Sequence, residues 1–179
     1  GVGHAFTLLK PFACAKQKAW SVPAYAVSGT PADCVKFADV ELLKNEKIDL
    51  VISGINNGSN AGVAALYSGT VAAAREACLW GVRSLALSAP NIRRANVEPI
   101  LEWLGDLLKS GDWLSITPTK LWNVNTPDVN TLENNEYKGV KFCKMGLVMY
   151  QDAYIQDEES EKWMLKGKKS TVPQEDTDD

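Results

Sequence analysis

The sequence predicts an α/β protein built on a mostly parallel sheet. Three observations carry this expectation. Short apolar runs alternate with segments whose apolar residues recur at helical spacing. Gly, Pro, Asn or Ser punctuates the joints between them. The run DLVISGI, in the expected strand Ile48–Ile55, is nearly all apolar, which suits a strand covered on both faces. Such alternation builds βαβ units with right-handed crossovers. Ligands of such sheets gather outside the carboxyl ends of the strands.

Each element follows from local chemistry. Ala24–Ser28 reads as a short strand. Thr30 can cap a helix over about 31–44, with Pro31 at the first helical position and Asp33 in the first turn, where the helix dipole favours an acid. Ile48–Ile55 is the next strand. A helix over about 70–80 follows and stops at Gly81. SLALS, Ser84–Ser88, is a strand. Val97, Ile100, Leu101, Leu104, Leu107 and Leu108 define a helix over 97–109, with Gly111 just beyond it. KLWNV, 120–124, is strand-like, and NTPD closes it with turn residues. Near Gly139 the texture changes, which divides the chain into an α/β part, 1–139, and an extension, 140–179. One or two irregular strands are expected over 140–151. A charged, solvated arm is expected over 157–179, interrupted by the apolar WMLKG at 163–167.

The 179 residues are 45% apolar and 23% charged, the composition of a globular chain. A net charge of −3 argues against a binder of polymeric nucleic acid, which carries a basic surplus. No apolar run reaches the roughly 18 residues that would span a membrane. GVGHAFTLLK lacks the basic start of a secretory signal. Cys14, Cys34, Cys78 and Cys143 form no CxxC pair and read as free thiols of a reducing, cytoplasmic compartment. His4 is the single histidine, so a zinc site of several histidines is excluded within this sequence. It reads as a surface or hydrogen-bonding group. Asp33 and Glu76 read as a capping acid and a surface acid, the latter pairing with Arg75 or Arg83.

The chemistry concentrates in VISGINNGSNAGVAALYSGTVAAARE, Val51–Glu76. Its strand ends in Ser53, Gly54, Asn56, Asn57, Gly58, Ser59, Asn60 and Gly62. Glycines let a ligand approach the backbone. An asparagine offers an oxygen to a hard cation and an NH₂ to an anion. Ser68, Gly69 and Thr70 open the next helix, whose free N–H groups and dipole favour an anion. A phosphate cradle and a merely capped Asn/Gly loop both fit this pattern. The lysine of a GxxxxGK[ST] loop is missing, and GxGxxG does not occur. The cradle contains no carboxylate, whereas a metal-activated water normally needs them.

GTPADCV (29–35), DLVISGINNGSNAG (49–62) and YSGTVAAARE (67–76) resemble the SurE family of survival proteins. GVGHAFTL, SLALS, NVNTPD, KGVKF, WMLKG and the closing DTD match in the same order, so the resemblance covers nearly the whole chain. It implies a Rossmann-like, three-layer domain with an extended C-terminal arm that swaps between subunits of a homodimer or homotetramer. The implied activity is metal-dependent hydrolysis of nucleoside 5′- and 3′-monophosphates, with short polyphosphate as a further substrate. The implied cofactor is Mg²⁺ or Mn²⁺. Asn56 would be a metal ligand. Asn60 would approach the phosphate, Ser68, Gly69 and Thr70 would hold it, and Asn60 and Ser68 would stabilise the growing charge. The family's other metal ligands, an Asp-Asp pair and a Ser, belong to motifs that this sequence does not contain, and its closing strand is likewise missing. The expectation is therefore a sequence trimmed at both ends, weak in metal binding, poor in hydrolysis and doubtful as an independent fold, with apolar surface and unpaired strand edges. The alternative is a naturally shortened, non-catalytic homologue that binds nucleotide or phosphate.

Overall fold

The computed structural model describes residues 2–147, 150–157, 160–169 and 176–178. The remaining positions fall in GVGHAFTL, in the expected strands over 140–151 and in the expected arm over 157–179, and those parts of the three expectations lie outside the described residues. The chain divides into two compact units, Gly1–Asn60 with Ala64–Lys138, and Ala61–Val63 with Gly139–Asp179.

The first unit begins with an antiparallel hairpin of β1 (Cys14–Gln17) and β2 (Ala24–Val27). Sequence reading found only the second strand. β1 is CAKQ and fully exposed, so no apolar alternation marks it. α1 (Pro31–Phe37) follows and passes into a π-helical turn, Ala38–Leu42, closed by the bond from Leu43 N to Ala38 O. One helix to residue 44 was expected; the widened turn ends it earlier. β3 (Leu50–Asn57), the single turn α2 (Ala64–Tyr67), α3 (Gly69–Leu79), β4 (Arg83–Ala89), α4 (Arg94–Ser110) and β5 (Leu121–Asn125) complete the unit's main elements. Gly111 ends α4 with φ +81°, a conformation that favours glycine.

β3, β4 and β5 form a parallel sheet in that order. Side chains alternate across β4, so its two faces meet different helices. Leu85 and Leu87 join Ile100, Leu107 and Ile116 in one core, against α4. Ala86 faces the other way, onto Ala65, Val71 and Ala74 of α2 and α3. The run of alanines lets α3 sit close on the sheet; Ala72, Ala74 and Ala77 are essentially fully buried. Helix, sheet and helix make three layers, the expected α/β fold. Beyond β3 no further strand pairs among the described residues. Ile52 is 40% exposed there, and an apolar cavity lined by Val35, Leu43, Ile48, Val51 and Trp80 lies beside the start of the strand.

Thr30 and Asp33 make a full capping box at the start of α1. Asp33 also accepts from the backbone N–H and the hydroxyl of Thr7, at 3.0 and 2.6 Å. Burial alone would raise its pKa; the bonds from Thr7 and Thr30 outweigh burial and hold it at about 2, against 3.8 ordinarily. The folded-state pKa is depressed, so the stabilisation is present above about pH 4 and is lost as pH falls towards 2. Asp33→Asn is expected to lose about 2 kcal/mol at neutral pH and to flatten the acid limb between pH 4 and 2. Urea melts across that range measure this, and an unchanged acid limb would exclude the role.

In the second unit, β6 (Tyr150–Gln156) and β7 (Trp163–Lys169) form an antiparallel hairpin. Within the arm expected from 157 onwards, 163–169 is a paired strand, and its residues 163–167 are exposed. Cross-strand pairing sets Tyr154 against Leu165 and Ile155 against Met164, an apolar ladder stronger than the surrounding charge suggested. Asp178 accepts from the N–H groups of Gly62 and Gly146 at 3.0 and 2.7 Å, tying the ends of the unit together.

Candidate active site

The carboxyl ends of the three parallel strands carry a row of polar side chains. Asn56 on β3 is in register with Ser88 on β4, and Ser88 with Asn125 on β5. Residues in one row project to the same face of a sheet. Ser88 is fully buried in the middle. Asn60, on the loop after β3, folds back over the row and is itself buried. Its amide Nδ2 donates to Ser88 Oγ at 2.8 Å, its backbone N–H donates to Asn125 Oδ1 at 2.8 Å, and its carbonyl accepts from Asn123 Nδ2 at 2.9 Å. Two neighbouring strands therefore fix both the backbone and the side chain of Asn60.

Ser68 caps α3. Its hydroxyl accepts from Val71 N at 3.1 Å, and its carbonyl takes the bond from Ala72 N. Gly69 and Thr70 N–H remain without intrahelical partners, as the first groups of a helix do. The Thr70 hydroxyl donates to Asn56 Oδ1 at 3.3 Å, joining the helix start to the strand-end row. Gly69 is close-packed: an added Cβ would lie 2.9 Å from Pro31 Cγ. The structure thus brings Asn56, Asn60, Ser68, Gly69 and Thr70 to one end of the sheet. Sequence reading missed Ser88, Asn123 and Asn125. The signal was present in SLALS and NVNTPD, where polar residues sit at the ends of strand-like runs.

The segment ahead of β1 is stitched to the same elements. Gly3 N donates to Tyr67 O, Thr30 Oγ1 donates to Ala5 O, and His4 Nε2 lies 2.8 Å from Glu76 Oε2. Lys36 Nζ reaches Glu76 Oε1 at 3.3 Å and lies over the rings of Phe6 and Trp80. Glu76 is only 2% exposed. It was expected on the surface beside Arg75 or Arg83; instead the inner face of α3 carries it inward, and His4 and Lys36 are its partners. His4 has the expected hydrogen-bonding role. Asp128, in the loop after β5, is held below the usual carboxylate range by the Asn130 backbone N–H.

The divalent ion that the family resemblance implies would find few suitable ligands among the described residues. A hard cation needs six or more oxygens, carboxylates foremost. Asn56 offers one amide oxygen, already bonded to Thr70, and its Nδ2 is bound to Gly58 O at 2.7 Å. Among the described residues no three His, Cys, Asp or Glu side chains converge into a metal-holding group. The donors fit an anion at the helix start. They do not by themselves make a metal centre.

The three-layer arrangement, with a parallel sheet whose strand ends meet a helix start, defines a Rossmann-like α/β domain. The family model described as "Survival protein SurE" matches residues 1–152. The chain belongs to the SurE family. It is 41% identical over 154 residues to a protein named 5′-nucleotidase SurE from Desulfatibacillum aliphaticivorans, covering 86% of this chain and 59% of that relative. It is 35% identical over 182 residues to the 5′-nucleotidase SurE of Thermoanaerobacter sp. (strain X514), covering 99% of this chain and 70% of that protein. The crystal structure of the SurE protein from Aquifex aeolicus matches with a TM-score of 0.75 at 33% identity, over 99% of this chain and 71% of that one. The chain thus spans about three fifths of the length of several of its curated relatives. No helix among the described residues is long and apolar enough to cross a membrane.

Proposed function

We propose that this chain forms the phosphate-holding part of a nucleotidase, a phosphomonoesterase that releases phosphate from nucleoside 5′- and 3′-monophosphates. The observation that carries the reading is the bond between Thr70 and Asn56, which sets the start of α3 against the strand-end row. Relatives of this chain are named 5′-nucleotidase. In this reading the phosphoryl group lies at the open N–H groups of Gly69 and Thr70, with the hydroxyls of Ser68 and Thr70 at its rim. Asn60 keeps one amide hydrogen beyond the bond to Ser88, and that hydrogen meets a phosphoryl oxygen. These donors are in place before the reaction and act on charge that grows at the phosphoryl oxygens, where removing one donor typically costs about 10²-fold in rate. Short polyphosphate offers the same terminal group and is a candidate substrate.

The divalent ion of the reading, Mg²⁺ or Mn²⁺, would take one ligand here, the oxygen of Asn56. We place the protein in the cytoplasm as a homodimer or homotetramer; the exposed Trp163, Met164 and Leu165 of β7 and Tyr154 and Ile155 of β6 support a partner for the arm. The second reading, a non-catalytic module that binds nucleotide or phosphate, is favoured by the lack of a metal-holding group among the described residues.

One experiment separates the two. The protein expressed from its full gene is assayed for phosphate release from AMP with Mn²⁺, beside Asn56→Ala and beside an EDTA control. The nucleotidase reading expects release that EDTA abolishes and that Asn56→Ala lowers by about 10²-fold. Nucleotide binding that ignores EDTA, with no release above that of Asn56→Ala, would replace it with the second reading.

A further inference from the structure

Asn125 has an amide group that the fold leaves over. Its Oδ1 is occupied: it accepts from Asn60 N at 2.8 Å and from Ser59 Oγ at 3.4 Å. Its Nδ2 takes no partner among the described residues, and the residue is half-exposed. Asn123, two residues earlier on the same face, is used the other way round. Its Nδ2 is on the carbonyl of Asn60, and its Oδ1 is buried without a partner among the described residues. The two side chains clasp the Asn60 residue, one at its N–H and one at its C=O. Of the two, Asn125 keeps an amide NH₂ with no partner among the described residues.

Several acceptors around it are already engaged. The oxygen of Asn56 is taken by Thr70, and the backbone carbonyls of Ser88 and Ala89 are taken by Thr126 N and Gly58 N. What remains open includes the N–H groups of Gly69 and Thr70 and the NH₂ of Asn125. Unpaired donors at a helix start and on a neighbouring amide are the chemistry of an anion site. The spacing agrees. Ser88 and the buried Asn60 amide mark the middle of the row, and Asn56 and Asn125 each lie one strand away, about 4.8 Å between backbones. An anion centred over Ser88 and Asn60 is therefore flanked by both edges.

We infer that Asn125 is a further substrate-positioning residue, whose amide NH₂ donates to a phosphoryl oxygen from the β5 side of the site. The inference rests on the phosphomonoesterase reading for the identity of the ligand, and it adds a residue on the third strand that holds it. The same side chain does two jobs, and they reside on different atoms. The oxygen holds the Asn60 loop, and the nitrogen meets the ligand.

That division makes the test sharp. Asn125→Asp keeps an oxygen for Asn60 N and Ser59 Oγ, and replaces the free NH₂ with a negative oxygen facing the phosphate. The full-gene protein and this variant are compared by calorimetric titration with inorganic phosphate, by AMP hydrolysis and by melting temperature. The expected result is a melting temperature close to that of the parent, phosphate affinity lower by tenfold or more, and KM for AMP raised in proportion. Equal affinity and equal KM in a folded variant would show that Asn125 only holds the loop, and would overturn the inference. If Asn125→Asp does not fold, the Asn125 side-chain NH₂ signals of the parent protein are followed by NMR during the phosphate titration. Movement of those signals supports the contact, and their indifference overturns it. A parent protein that binds phosphate without hydrolysing AMP removes the hydrolase reading alone, and the affinity ratio still decides Asn125. A parent that binds no phosphate removes both.

Discussion

Gly54→Ala is expected to be the most damaging single substitution in the sheet. Gly54 lies inside β3 with φ +128°, a conformation that residues with a Cβ rarely adopt. The register of β3 on β4 shifts between Ser53 and Asn56, so the strand carries an irregularity there. An added Cβ would collide with the backbone carbonyl oxygen of Leu87, which is in the core of the sheet and cannot swing aside as the end of a side chain can. Moving that carbonyl would also move Leu87, which is 2% exposed, and Ser88 after it. We expect a loss of at least 3 kcal/mol from backbone strain and displaced core together. In a chain of this size that is roughly a 6–12 °C fall in melting temperature. Asn56 is two residues on, so a folded remnant of the variant should also hold phosphate poorly. Thermal melts followed by circular dichroism, with phosphate titration of whatever remains folded, measure both effects. A fall of less than 2 °C would show that β3 can relax around the methyl group.

The same position shows what the sequence could say and what it could not. The alternation of apolar runs and helical spacing is local information, and it located β3, α3, β4, α4 and β5 to within a few residues. The small polar residues after β3 marked the candidate site because a strand end facing a helix start is also a local arrangement. Partners are not local. Asn60 is fixed by Asn123 and Asn125, more than 60 residues away, and by Ser88, so its burial could not be read from its own neighbours. Ser88 and Asn125 face each other because of the strand order, which one sequence does not state. Glu76 was misplaced for the same reason. An acid on a helix is usually solvated, and this one is buried against His4 and Lys36, 72 and 40 positions earlier. β1 and the β6–β7 hairpin escaped because exposed strands lack the apolar alternation that marks half-buried ones.

Glu76 supplies the second large effect. Its carboxylate is 3% exposed, with His4 on one oxygen and Lys36 on the other. A buried carboxylate is tolerated when paired, and breaking such a pair by removing one member is costly because the other member is left behind. The two partners are unequal. Lys36 is half exposed and can return to water, whereas His4 is 20% exposed and lies against Phe6. Glu76→Ala is therefore expected to lose about 2–4 kcal/mol, the upper part of the range being reached if the segment 2–7 detaches. Lys36→Met should lose less than 1 kcal/mol, since half of its interaction is already screened. His4→Ala should fall between them, because it leaves Glu76 buried with Lys36 as its one partner. A double-mutant cycle between His4 and Glu76 is expected to return a coupling of about 1–3 kcal/mol, the size found for groups in one buried network. The consequence for the site is mechanical. Gly3 donates to Tyr67 O, the residue before the Ser68 cap, and the Val2 side chain lies beside Gly69, so the clamp on His4 holds the segment that borders the start of α3. Hydrogen exchange at Gly69 and Thr70 should accelerate in Glu76→Ala along with exchange over 3–7. Faster exchange over 3–7 with no change at Gly69 and Thr70 would mean that the segment covers α3 without steadying the phosphate grip.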